Sequence, residues 1–314
     1  MAKWNEADKK MAHMLLQAMD RSYYMESLGF HCFHWQKAVL DSEGKRKVIN
    51  GARQSGKSTI VSGVPCHTAR FVPGSISIIG APTENQANET MSKVIGFCRR
   101  DPDYPKMLKC SNEEIKLENG SRIIVRPAKS DTFRGYSCPR VIVLDEASRI
   151  EEDAYTSGAR PMLTDNPDGE LYLISTPFGR EGFFYRAMTE DNGSDVWERY
   201  EVRSPWHVSG TGSETYLEPF MDEEVYREKM VAKGIKAWFS PRHRDYDFQV
   251  EQLAEMGKTQ YLQEYETEFI EKAGQVFAYD DIEAMFRHGD DITPLREKMN
   301  QVSTSTTRAR RFMA

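Results

Sequence analysis

The run Gly51-Ala52-Arg53-Gln54-Ser55-Gly56-Lys57-Ser58 matches G-x-x-x-x-G-K-[ST], the spacing of a loop that cradles phosphates. The chemistry demands these residue types. The glycines let backbone N–H groups curl round phosphate oxygens, and the helix that follows offers its positive end. In such a loop Lys57 reaches the β- and γ-phosphates, and the Ser58 hydroxyl ligates Mg²⁺. Gly51, Arg53, Gln54, Ser55, Gly56 and Thr59 are the remaining candidates for contact with ATP in and beside the loop. A Gly-rich turn without function is the plainer alternative, and the flanking sequence weighs against it. Lys47-Val48-Ile49-Asn50 is a short apolar strand, and residues 57–70 read as a helix.

A second constellation supplies acids. Val141-Ile142-Val143-Leu144 is a continuous apolar strand that delivers Asp145 to its carboxyl end, where a carboxylate can hold a metal's water shell. Glu146 beside it can polarise an attacking water as a general base. Alone, the pair reads as caps of a following helix; beside a phosphate loop it reads as catalytic. A kinase or a GTPase does not need the second acid, and no N-K-x-D guanine-reading tetrapeptide occurs, so the chemistry indicated is ATP hydrolysis.

Three further groups could serve that reaction. Leu171-Tyr172-Leu173-Ile174 is another core strand, ending in Ser175-Thr176. These hydroxyls either sense the γ-phosphate and pass its loss to neighbouring elements, or cap a helix starting near Gly179. Gln36, in Phe33-His34-Trp35-Gln36, has the donor and acceptor that match the N6–N7 edge of adenine, although most glutamines are surface residues. Arg53, inside the loop, and Arg134, in Thr132-Phe133-Arg134-Gly135-Tyr136, carry guanidiniums suited to stabilising charge on the γ-phosphate. For Arg134 a solvated surface arginine is the competing reading.

The elements that must position these groups alternate along the chain. Residues 75–79 form a strand, and residues 82–97 a helix with Thr83 as its N-cap. Residues 114–127 alternate apolar and polar on both sides of Asn119-Gly120, which favours a hairpin with a two-residue turn. Strands alternating with helices imply a doubly wound, mostly parallel sheet flanked by helices. With the phosphate loop this is an α/β P-loop NTPase of the RecA-like class that uses a catalytic glutamate. Residues 7–19 place Met11, Met14, Leu15 and Ala18 at helical spacing, an amphipathic helix opening the chain. Beyond Pro205 the pattern changes to polar helical stretches at 222–233 and 244–269. The expected division is an ATPase core with an N-terminal helical extension at 1–204, a small helical lid or linker at 205–272, and a polar tail at 273–314.

Bulk properties set limits on the class. The chain has 314 residues, 39% of them hydrophobic, and a formal net charge of -6. That charge argues against passive coating of nucleic acid, but not against a motor gripping DNA through a local basic patch. The first residues lack the apolar core of a secretion signal, and no apolar run approaches the length of a membrane span. Five cysteines without paired spacing fit reduced thiols in a cytosol.

Taken together, these segments resemble the ATPase domain of the large terminase subunit, the DNA-packaging motor of tailed phages. The resemblance rests on Phe33 to Gln36, the loop 51–58, Ile79-Gly80-Ala81-Pro82-Thr83, residues 132–135, Val143-Leu144-Asp145-Glu146-Ala147 and Ser175-Thr176-Pro177-Phe178-Gly179. It implies that Gln36 is similar to the adenine-binding glutamine, Arg53 to the loop arginine, and Glu146 to the catalytic glutamate. Ser175 and Thr176 resemble the motif coupling hydrolysis to DNA movement, and Arg134 matches the segment that supplies an arginine finger to a neighbouring subunit. It further implies Mg²⁺ and ATP as cofactor and substrate, and double-stranded DNA, a portal protein and a small terminase subunit as partners. Self-association into a ring, five-membered on the portal, and a setting in the host cytoplasm without membrane attachment follow from the same resemblance. Such proteins usually continue into a metal-dependent nuclease. Asp280, Asp281, Asp290 and Asp291 do not have the distribution over several strands that such a site needs, so no DNA cleavage is expected from this chain. A helicase-like translocase shares the Gln, Lys-Ser and Asp-Glu motifs but should carry a second strand–helix series after residue 205. A non-hydrolysing, nucleotide-dependent assembly protein would not need the Lys57–Glu146 set.

Overall fold

Strand-forming apolar runs and glycine-marked turns assemble into one twisted sheet. The computed structural model describes residues 5–129, 131, 135–164, 166–190, 197–210 and 214–271. Its strands are β1 (Arg46–Gly51), β2 (Ile76–Ala81), β3 (Met107–Cys110), β4 (Glu114–Leu117), β5 (Arg122–Pro127), β6 (Val141–Asp145), β7 (Glu170–Ser175), β8 (Glu198–Arg203) and β11 (Ile235–Phe239). They lie in the order β11-β8-β1-β7-β6-β2-β5-β4-β3. All neighbours from β11 to β5 pair in parallel, and β4 and β3 close the other edge antiparallel.

Alternate residues of each central strand feed two opposite cores, which is why the strands read as continuous apolar runs. Ile49, Ile79, Val143 and Ile174 pack under α2 (Arg21–Ser27), α3 (His34–Leu40), α4 (Lys57–Phe71) and α5 (Glu84–Cys98). Val48, Ile78, Ile142, Leu144 and Leu173 pack against the segment 150–163 and against α6 (Gly182–Thr189). α5 begins where expected, with the Thr83 hydroxyl accepting from Gln86 N–H at 3.3 Å. All five cysteines are free thiols, and no helix among the described residues is long and apolar enough to cross a membrane.

Two local findings differ from the sequence reading. The hairpin connects β4 to β5 through residues 118–121, a longer loop than the two-residue turn that Asn119-Gly120 favours. Asn119 instead serves as a tether. Its amide donates to the Ala69 carbonyl at 2.8 Å, tying the loop to the end of α4. The opening helix α1 (Glu6–Met19) forms, but inside out. Its buried residue is Gln17, which donates to the Ser27 hydroxyl at 2.8 Å, while Met11, Met14, Leu15, Leu16 and Met19 are exposed.

Beyond residue 205 the expected helices are present, α7 (Glu223–Val231) and α8 (Tyr246–Glu264), and strands accompany them. β9 (Trp206–Ser209) and β10 (Tyr216–Pro219) form a separate antiparallel ribbon, whereas β11 extends the main sheet alongside β8. Four- and five-residue strands among polar helical stretches carry too little periodicity to be read. Residues up to Phe269 cluster as one compact unit, so the expected boundary at 205 falls within it.

Candidate nucleotide site

Parallel register brings the ends of three strands to one edge. Asn50 of β1 pairs with Ser175 of β7, and Asp145 of β6 pairs with Ile174 of β7. The strand carrying Ser175-Thr176 therefore stands between the phosphate loop and the Asp-Glu pair. Ligands of open α/β sheets bind outside this carboxyl edge.

The loop is shaped by backbone conformations its sequence permits. Gln54 and Gly56 both sit at positive φ, +59° and +102°. A Cβ on Gly56 would lie 2.9 Å from the Gln36 amide nitrogen, so glycine serves there for space as well as for φ. The loop is also held from outside: Ala52 N–H donates to the Val202 carbonyl and Arg53 N–H to the Glu264 carbonyl, both at 2.7 Å. Gly56, Lys57 and the first turn of α4 have no side-chain cap, leaving N–H groups pointing from the helix start. Lys57 is buried and donates from Nζ to the carbonyls of Gly51 at 2.7 Å and Ala52 at 2.9 Å. Burial lowers its pKa, against the charges of Glu146 and Asp145, which raise it. The buried Ser55 hydroxyl has no hydrogen-bond partner among the described residues. Arg53, Gln54, Ser58 and Thr59 line the cleft above the loop, with Arg53, Gln54 and Ser58 exposed.

Gln36 lies immediately behind the loop and is buried. Its Oε1 accepts from Phe33 N–H at 2.8 Å and its Nε2 donates to the Gly56 carbonyl at 2.9 Å. One amide hydrogen and one lone pair remain for a base edge.

Glu146 lines the same cleft as this loop, and Asp145 precedes it at the end of β6. Asp145 is pushed up to about 6 by burial and then by the adjacent charge of Glu146. Glu146 takes a left-handed backbone, φ 49° and ψ 45°, and its N–H donates to Asp145 Oδ1 at 3.1 Å. A left-handed glutamate is uncommon and costs of order 1–3 kcal/mol, the kind of strain found at functional sites. The turn lets the Ser175 hydroxyl donate to Glu146 Oε2 at 3.3 Å. Ser148 completes the link, lying 2.8 Å from the Ser175 hydroxyl and donating to the Thr176 carbonyl at 2.8 Å. Ser175 and Thr176 thus connect to the acid pair; α6 has no side-chain cap, so the capping alternative does not describe them.

The cleft, about 790 Å³, also includes residues that no motif singled out: Gln86, Arg149, Arg242 and Glu264. Arg149 lies 4.3 Å over the Phe178 ring and 3.6 Å from the Glu264 carboxylate, joining the turn after β6 to the end of α8. Arg242 follows β11, with its guanidinium 5.6 Å from the Phe33 ring centre. The nearness of Ser148 and Arg149 to Glu146 was the only available signal for that pair. Arg242 and Glu264 reach the site only because β11 returns to the sheet. Arg134 lies outside the described residues, as do Asp280, Asp281, Asp290 and Asp291. Among the described residues no group of three or more His, Cys, Asp or Glu is placed to hold a metal ion.

A parallel sheet with a Gly-rich loop after one strand, acids after another and a hydroxyl-bearing strand between them defines an α/β P-loop NTPase fold. Relatives narrow the class. The chain belongs to the family described as terminase large subunit, T4likevirus-type, N-terminal, which it matches over residues 48–284. It is 29% identical over 179 residues to the large terminase subunits of Thermus phage G20c and Thermus virus P23-45. Each alignment covers 51% of this chain and 37% of the relative, so the chain spans well under two thirds of those proteins. Its fold is similar to the large terminase ATPase domain of Thermus phage P74-26, with TM-score 0.56 and 22% identity over 79% of this chain and 97% of that one. It is also similar to the large terminase of bacteriophage HK97, with TM-score 0.55 and 16% identity, covering 81% of this chain and 54% of the other.

Proposed function

We propose that this chain is the ATP-hydrolysing motor part of a phage large terminase, powering movement of double-stranded DNA through a portal into a procapsid. The observation that carries the reading is the chain of contacts Glu146–Ser175–Ser148–Thr176, standing across one cleft from the Lys57 loop. ATP would enter that cleft with its phosphates against the uncapped start of α4 and its base toward Gln36 and Phe33. Lys57 would exchange two carbonyls for phosphate oxygens, and Arg53 would add positive charge in cis. Glu146 would orient and deprotonate the attacking water.

The residues present fit Mg²⁺. Two adjacent carboxylates at one strand end, one of them raised to about 6 by burial and then by the charge of the other, form a donor set that a divalent cation relieves. Ser58 offers a hydroxyl in the same cleft. Ser58 and Asp145 would hold the ion, which when bound neutralises charge on the phosphates.

Ser175 and Thr176 would pass on the loss of phosphate. Arg149 and Glu264, bridging the acid turn to α8, give that signal a path into residues 205–264. The family relationship supports the remaining partners: a ring of subunits, five on the portal, with Arg134 supplied to a neighbour's site, a small terminase subunit, and duplex DNA. DNA would be held through its phosphates, without sequence preference and more weakly as salt rises. These events belong to the host cytoplasm. We assign no nuclease activity to this chain.

Ser175→Ala is expected to lower kcat about tenfold, the worth of one hydrogen bond to a charged group, with the KM for ATP changed less than about twofold. Steady-state kinetics check it; an unchanged kcat would place Ser175 outside the reaction. The function itself is tested by adding the chain and the small subunit to portal-bearing procapsids with duplex DNA and ATP, then treating with DNase. DNA protected only with ATP, and not with Lys57→Ala, supports the reading. ATP turnover without any protected DNA would count against it.

A further inference from the structure

A second concave site lies at the other edge of the sheet. Arg46 opens β1, the strand that ends at Gly51, so this site and the phosphate loop stand at opposite ends of one strand. The segment 152–164 and α6 cover a cavity of about 400 Å³ there, within the range of small-molecule sites.

Four arginines, Arg46, Arg160, Arg186 and Arg199, line it against two carboxylates, Glu152 and Glu190. Arg46 is half-buried and donates from one nitrogen to the carbonyls of Lys45 at 3.0 Å and Gly169 at 2.7 Å. Neither Arg46 nor the exposed Arg160 has a carboxylate partner among the described residues. Arg186 is paired with Glu152, and Arg199 donates to the carbonyls of Ala187 at 2.9 Å and Glu190 at 2.6 Å. Burial above all lowers the Arg46 pKa, and the like charge of Arg160 adds to that. Tyr155 lines the same cavity; burial above all raises its pKa, with Glu152 adding to that, while the charges of Arg160, Arg46 and Arg186 act the other way. The Tyr155 ring is held in place by stacking on Phe183, centres 4.3 Å apart and planes at 11°. Two guanidiniums without a carboxylate partner and a hydroxyl on a ring held by stacking thus line one cavity, donors of the kind that match a phosphoryl group.

We propose that this cavity binds a small phosphorylated anion, its oxygens held by Arg46, Arg160 and the Tyr155 hydroxyl. The half-buried position of Arg46 and the size of the cavity favour a small ligand over the backbone of a duplex, whose phosphates line a convex surface.

The test is calorimetric titration of the full chain with sodium pyrophosphate at low salt, in Lys57→Ala to remove binding at the phosphate loop. Lys57→Ala is expected to keep one pyrophosphate site. Adding Arg160→Gln, alone or with Arg46→Gln, should weaken that site about tenfold or more. In a chain with Lys57 intact, the same changes should leave ATP affinity unaltered. Arg160 is exposed, so its single replacement keeps the result readable if the double variant fails to fold. No pyrophosphate uptake by Lys57→Ala, or uptake indifferent to Arg160→Gln, would overturn the proposal.

Discussion

Glu146→Gln is expected to lower ATP turnover by about 10²–10⁴-fold, the usual loss when a general base is removed, while Mg-ATP stays bound. The expectation follows from geometry. Glu146 touches Ser175 at the end of the intervening strand, whereas the phosphate-facing loop is held by Lys57 and its own backbone. The amide retains the shape and can still accept from Ser175, so the fold and the Ser175–Ser148 link survive. What it cannot do is take a proton from water. A loss in kcat with an almost unchanged KM is the signature of an interaction used only in the transition state. Equal loss of ATP affinity would instead make Glu146 a binding residue.

The second large effect concerns stability, at a buried ion cluster that ties the N-terminal helices to the sheet. Glu170 at the start of β7 accepts two bonds from Arg21, at 2.5 and 2.7 Å, and one from the Tyr172 hydroxyl at 2.7 Å. Lys47, fully buried, lies 3.7 Å from the same carboxylate and 4.8 Å over the Tyr172 ring. Burial alone would raise the Glu170 pKa, but Arg21 and then Lys47 outweigh it and hold the carboxyl at about 2. Burial brings Lys47 down to about 8. Glu170→Ala removes the carboxylate that both cations share, a loss of about 3–5 kcal/mol. The melting temperature should fall by on the order of 10 °C.

The sign of the pH effect is fixed by the direction of the shift. The folded pKa, about 2, lies below the ordinary value of 4.5, so the carboxylate stabilises the fold above 4.5. That contribution is lost as pH falls from there toward 2. Thermal unfolding at pH 7 and pH 3 should therefore show a smaller difference between wild type and Glu170→Ala at pH 3. A gap that is the same at both pH values would mean that packing, not charge, is what Glu170 supplies.

How much of the molecule is readable from its sequence depends on whether the chemistry is contiguous. The phosphate loop and the Asp145-Glu146 pair are short runs whose residue types are dictated by what they bind, and both lie at strand ends as expected. Strand order is not written in any one segment: that β7 stands between β1 and β6 is settled by right-handed crossovers and packing. Only that order explains why Ser175 touches Glu146. Ser148 is invisible in the sequence because a serine in a short turn has many uses. Arg242 and Glu264 are invisible because their approach depends on a five-residue strand that periodicity cannot distinguish from its surroundings. In α1 the periodicity identifies the helix but not its buried side, since an apolar stripe does not say which face the protein covers.

The most direct test of the central claim is steady-state phosphate release from Mg-ATP by wild type, Lys57→Ala and Glu146→Ala over a range of protein concentrations. Wild type is expected to turn over ATP and neither variant to do so above background, with ATP still bound by Glu146→Ala. A specific rate that rises with concentration would add a residue supplied by a neighbouring copy. Turnover that survives in Lys57→Ala or Glu146→Ala would contradict the assignment of this cleft as the site of hydrolysis.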